Sequence, residues 1–197
     1  SLEELGDGAF GDCKVLKEIN GSLKNVKSIG EECFFNCPIT TFAIPDALET
    51  IGARAFSGSS IANFTIGANQ NFTIDSDALY TADKSLLVAF PPKSERTEIV
   101  VADGCRGING GAFQLSGIKN VTLPASVIAL DDFAFCQSAL ESISFTDNLV
   151  YIGQQAFAAT NITSMELPQG LRILQDAVFA GCGKLTSVIV KSNVTDF

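Results

Sequence analysis

The sequence contains no histidine and no tryptophan, and it carries 13 lysines and arginines against 22 aspartates and glutamates. Without histidine, Ser-His-Asp and Cys-His catalysis and every His-ligated zinc site are excluded. The net charge of −9 leaves no basic patch to release counterions from phosphates, so nucleic acid is not expected as a partner. An anionic membrane surface repels the chain for the same reason. No apolar run approaches the roughly 18–20 residues of a membrane span, so direct membrane insertion is not expected either. The six cysteines form no C-x-x-C pair, the usual mark of a zinc site or a redox dithiol. No cofactor is implied.

What is present is a repeat. Phe10, Phe34, Phe56, Phe113, Phe135, Phe157 and Phe179 form a column with steps of 24, 22, 57, 22, 22 and 22 residues. A small residue precedes each Phe (Ala9, Cys33, Ala55, Ala112, Ala134, Ala156), with Val178 the larger exception. Leu or Ile stands five residues before it, often followed by Gly, as in Ile51-Gly52 and Ile152-Gly153. After the Phe comes an aliphatic-x-x-apolar-x-apolar strand pattern, for example Ile118…Val121…Leu123, and Pro45, Pro124 or Pro168 ends the strand. A period near 22 of this character signals a leucine-rich-repeat solenoid. One turn cannot bury its own apolar side, so like turns stack and their columns fuse into a continuous core.

The 57-residue step holds a further turn plus an insertion over 67–98. Within it, two arms near 78–81 and 86–90 flank Ala82-Asp83-Lys84 as a β-hairpin. The expected fold is therefore a β-rich, right-handed, curved solenoid with one strand per turn. It forms a single domain over 1–197 of about eight turns, roughly 35–40 Å long at about 4.8 Å per strand. The first phrase opens in mid-repeat at Leu5-Gly6-Asp7-Gly8-Ala9-Phe10, without a signal-peptide pattern. It reads as a piece of a longer protein.

These residues resemble the BspA-like, or Treponema pallidum type, leucine-rich repeats. IGARAF (51–56), IGQQAF (152–157) and AGCGKL (180–185) follow the family phrase, and ALYTADKSLLVAFPP (78–92) is similar to an insertion many members carry. Leu174-Gln175 departs from the Ile-Gly pattern. The resemblance implies a bacterial protein at the cell surface or secreted, in some members an adhesin for host matrix proteins or other cells. It implies binding rather than chemistry.

Gly6-Asp7-Gly8-Ala9-Phe10-Gly11 spells G-x-G-x-x-G, but no strand precedes it and its Ala-Phe belongs to the repeat, so a dinucleotide site is not expected. Asp75-Ser76-Asp77 lacks the following acidic position and Gly of a calcium loop. The acids leave a carboxylate-pair glycosidase formally open, yet none clusters in the sequence. Cys13, Cys37 and Cys182 share the column three residues after the Phe, Cys33 fills a small position and Cys105 a closing one. They read as small buried residues, with a Cys13–Cys37 disulfide feasible in an oxidising compartment. Five Asn-x-Thr sequons, at Asn63, Asn71, Asn120, Asn161 and Asn193, follow largely from the repeat itself.

Alternation along each strand turns two rows outward. One comprises Asn20, Ala43, Thr65, Val100, Thr122, Ser144, Glu166 and Ile189, the other Glu18, Thr41, Asn63, Glu98, Asn120, Ser142, Ser164 and Ser187. Hydroxyl and amide groups dominate, which also suits exposed strands in general. The candidate partner-binding residues are Thr65, Asn120, Thr122, Ser142, Ser144, Ser164 and Glu166, with Tyr80 of the hairpin. Two functions fit. One is an adhesin-like binding module for a host or matrix protein or a glycan. The other is a spacer or scaffold displaying another domain without a ligand of its own. A monomer is the default expectation.

Overall fold

The computed structural model describes residues 2–19 and 21–191. Among them, regular structure consists of short strands without a helix. The first eight are β1 (Glu4–Leu5), β2 (Ser28–Ile29), β3 (Thr41–Ile44), β4 (Thr50–Ile51), β5 (Asn63–Ile66), β6 (Phe72–Asp75), β7 (Ala78–Thr81) and β8 (Leu86–Ala89). The others are β9 (Glu98–Val100), β10 (Gly107–Ile108), β11 (Asn120–Thr122), β12 (Ala129–Leu130), β13 (Ser142–Ser144), β14 (Tyr151–Ile152), β15 (Ser164–Leu167), β16 (Ile173–Leu174) and β17 (Ser187–Val190).

The chain winds into a solenoid of about eight turns. After the first turn, which has no face strand among the described residues, each turn runs from a short edge strand through a loop bearing the Phe to a face strand. The face strands are the ones the apolar pattern marks. They stack parallel and in repeat register, β3 on β5, β9 on β11 on β13, and β15 on β17. The edge strands add a second parallel set, β1-β2-β4 and β8-β10-β12-β14-β16. Apart from β8, whose Leu87 stands three residues before Phe90, they carry the Leu or Ile five residues before the Phe, a position legible in the sequence as core but not as strand.

The Phe rings form the spine. Phe113, Phe135, Phe157 and Phe179 stack with centroids 4.9, 5.4 and 5.8 Å apart and planes within 9° of parallel. Phe10, Phe34 and Phe56 do the same at 5.3 and 5.8 Å. The inserted turn supplies Phe90, 5.1 Å from Phe113. Steps of 34 and 23 residues thus replace the single step of 57, and the hairpin's last aromatic belongs to the spine rather than to its edge.

Around each ring, apart from Phe90, the residues two before and two after take left-handed φ between 53° and 71°. These reversals aim alternate backbone N–H groups along the stack: those of Gly8, Phe10 and Asp12 donate to the carbonyls of Glu31, Cys33 and Phe35. Side chains other than Gly cost roughly 1–2 kcal/mol in this region and persist only where neighbours dictate the conformation. At the Ile-Gly positions the backbones approach closely. A Cβ on Gly153 would lie 2.5 Å from the backbone nitrogen of Asp132, so only Gly fits.

Strands β6, β7 and β8 form an antiparallel meander, and β8 also pairs with β10 as the edge strand of its turn. The connection is held by Asp83, whose carboxylate accepts bonds from the Ser85 N–H at 3.0 Å and the Thr81 hydroxyl at 2.7 Å. These donors hold its pKa down at about 2. Side chains of β7 alternate between two buried clusters. Leu79 packs with the first three turns, and Ala78 and Tyr80 with the later ones.

Candidate binding face

Every residue of the two outward rows from Thr41 to Ile189 is exposed, while the residues between them are buried or half-buried except Val188 of the last strand, which is exposed. Asn20, assigned to one row, and the sequon at Asn193 lie outside the described residues. The ladders set Glu98, Asn120 and Ser142 side by side, and likewise Val100, Thr122 and Ser144. The Ser142 hydroxyl donates to Asn120 Oδ1 at 2.7 Å. Cross-turn pairs flank the rows, Lys119 with Glu141 at 3.3 Å and Lys191 with Glu166 at 2.8 Å. Such exposed pairs, screened by solvent, add little stability and mainly fix side-chain positions.

The face is not continuous. β13 and β15 form no ladder, although the turns that carry them remain stacked through Phe135 and Phe157. A cleft of about 440 Å³ opens there, lined by Ser142, Ser144, Phe145, Ser164 and Glu166 among others. Phe145 stands where other turns carry Ile44, Leu123 and Leu167. The larger ring lies edge-on against Phe157 at 5.9 Å and takes up width that closely paired strands would need.

The candidate residues are therefore distributed unevenly. Ser142, Ser144, Ser164 and Glu166 converge on the cleft, Asn120 and Thr122 lie one strand away, and Thr65 sits apart on β5 in a separate two-stranded sheet. Tyr80, expected among the partner-binding residues, does not belong with them. It is wholly buried, its hydroxyl accepts the Ala102 N–H at 3.3 Å, and burial pushes its pKa up to about 12. A side chain so enclosed cannot meet a partner, because the alternation of β7 directs it into the core.

On the opposite side lies a feature that sequence reasoning missed. The turn bearing Phe90 has a shortened loop, its ring following Leu87 by three residues where Phe113 follows the paired Ile108 by five. Across it the Arg54 N–H donates directly to the Gly110 carbonyl at 2.8 Å. The Arg54 guanidinium lies 4.9 Å from the Phe35 ring centroid and 4.6 Å from that of Phe133. It also pairs with Glu32 at 2.5 Å, and its Nε donates to Gln114 Oε1 at 3.1 Å. Gly111 makes room for it, since a Cβ there would lie 2.5 Å from Arg54 Cγ.

All six cysteines are free thiols. Those of Cys37 and Cys182 donate to the carbonyls of Phe10 and Phe157, at 2.6 and 3.0 Å. Ser116, Ser138 and Thr160 occupy the same column and donate instead to the Phe carbonyl of their own turn. Among the described residues no cluster of His, Cys, Asp and Glu could hold a metal ion, and no helix is long and apolar enough to cross a membrane.

The model of the BspA type leucine-rich repeat region matches in six copies, over residues 1–95 and 87–197. The chain belongs to this family. No curated protein matches the sequence. Among solved structures, this BspA-type chain is similar to the pneumococcal vaccine antigen PcpA, with a TM-score of 0.91 at 24% identity over 98% of this chain and 50% of that one. A leucine-rich cell surface protein from Faecalibacterium prausnitzii gives 0.85 at 22% identity, over 98% and 59%. A leucine-rich repeat protein from Eubacterium ventriosum gives 0.75 at 20%, over 96% and 65%. At these identities the likeness establishes the fold. The chain spans about half to two thirds of the length of these proteins.

Proposed function

We propose that the chain is a non-enzymatic binding module, displayed at a cell surface or secreted, that engages a protein or glycan through its strand face in the manner of an adhesin. The observation that carries this reading is the pair of exposed hydroxyl- and amide-rich rows, held in register over successive turns. Such a surface offers many hydrogen-bonding groups on a rigid frame and lets a partner approach closely. Two proteins of similar structure, a vaccine antigen and a cell surface protein, support a surface location. With no Trp in the chain and no Arg in the rows, the aromatic and guanidinium anchors of tight interfaces are missing. Each contact is therefore weak, and strength comes from multivalency.

The test is binding of the purified chain to immobilised extracellular-matrix proteins and mucin, beside a variant with Thr122, Ser144 and Glu166 all changed to Lys. Saturable binding that the folded variant loses supports the reading. Binding the variant retains moves the site off this face, and the absence of any binding favours a spacer.

A further inference from the structure

The break between β13 and β15 is a built feature with a definite size and chemistry, and we propose that it seats one neutral pyranose ring of a glycan. This rests on the binding-module reading and names the ligand and the place.

Size excludes the main competitor. An extended peptide inserted between two strands needs about 4.8 Å on each side, but the turns bordering the cleft are closed around it. The Asn161 N–H donates to the Leu140 carbonyl at 2.9 Å at one end, and the Gln169 N–H reaches Asp147 Oδ1 at 3.2 Å at the other. Among the described strand residues, the three of β13 and the four of β15 lack a ladder partner on the facing side, a length of roughly 10–13 Å at about 3.3 Å per residue. A cleft of about 440 Å³ this short takes a compact ligand of one or two rings.

The chemistry of the walls selects among compact ligands. Ile143 and Phe145 are half-buried here, whereas the matching central residues Val121 and Met165 are buried. They give the cleft an apolar floor suited to the C–H face of a pyranose. The hydroxyls of Ser144 and Ser164 can donate or accept, and the Ser142 hydroxyl, already donating to Asn120, can still accept. Glu141 and Glu166 accept from ligand hydroxyls while Lys119 and Lys191 hold them in place. With Asp147 they make three carboxylates around the opening, which disfavours acidic sugars such as sialic acid. An apolar floor, hydroxyl walls and a carboxylate rim together match a neutral sugar ring.

The experiment is amide NMR of the nitrogen-15-labelled chain during titration with methyl glycosides of glucose, galactose, mannose, N-acetylglucosamine and N-acetylgalactosamine, with methyl sialoside as the anionic control. At least one neutral glycoside is expected to shift the amides of Ile143, Phe145, Ser164 and Glu166 saturably in the millimolar range, and sialoside to leave them still. Ser164→Trp, which fills the cleft from an exposed position, abolishes the shifts. Thr122→Trp, on the same face outside the cleft, keeps them. If no neutral glycoside moves these amides while the chain still binds matrix protein or mucin through the face, the pyranose site is wrong and the binding module stands. If sialoside shifts them as strongly, or Ser164→Trp leaves the shifts intact, the assignment also fails. If neither sugars nor macromolecules bind, both readings fall together.

Discussion

Cysteine, serine and threonine interchange three residues after the Phe because the position needs a small donor facing a carbonyl, and each supplies one. The recurrence is legible in the sequence. The acceptor is not, because for Cys37 and Cys182 it belongs to the preceding turn. The same view separates the thiols by reactivity. Burial pushes the Cys33 thiol up to about 11 and raises those of Cys105 and Cys136 as well, so at pH 8 all three remain protonated and shielded. Cys13 is exposed. Iodoacetamide at pH 8 is expected to modify Cys13 in the folded protein and to reach Cys33, Cys105 and Cys136 only after denaturation, as read by peptide mass spectrometry. Modification of Cys33 at the rate of Cys13 would contradict the burial described here. Residue-scale reasoning erred at Tyr80, where an aromatic on a hairpin suggested exposure and strand alternation turned it inward.

The strands and loops were legible in proportion to how often they repeat. The face strands, the Pro terminators and the Ile-Gly close approach recur in the sequence, and each has a direct physical cause in the stacked turns. The Arg54 clamp occurs once, and it joins residues far apart in sequence across a turn whose loop is shortened, so no period could reveal it. Two ring contacts at about 0.5–1 kcal/mol each, with a partly buried ion pair, set its scale. Arg54→Ala is expected to lower stability by about 1–3 kcal/mol in urea denaturation. Arg54→Lys restores less than half of that, since an ammonium cannot lie flat between two rings. Full recovery with Lys would show that charge alone matters. The cleft had a signal too: Phe145-Thr146 replaces the aliphatic-Pro pair that ends β3, β11 and β15. That substitution marks an irregular turn, but the sequence alone does not say that the ladder parts there.

At the scale of the whole molecule, stacking makes each turn depend on its neighbours, and β7 ties the two halves of the core together. Phe135 lies between two parallel rings and is wholly buried. Phe135→Ala is expected to cost roughly 3–5 kcal/mol and to raise amide exchange in the adjoining turns, not in its own alone. Unchanged melting by circular dichroism would overturn the column argument. The architecture was legible because seven rings announce it. The eighth, Phe90, was hidden by a loop of different length. Function is less legible, since polar rows suit any exposed sheet and the cleft between β13 and β15 exists only in the folded chain. The most direct test of the account is hydrogen–deuterium exchange of the intact chain with and without soluble mucin. Protection concentrated in β11, β13 and β15 is the predicted result. Protection confined to the Phe-bearing loops, or to the β6–β8 meander, would contradict the assignment of function to the strand face.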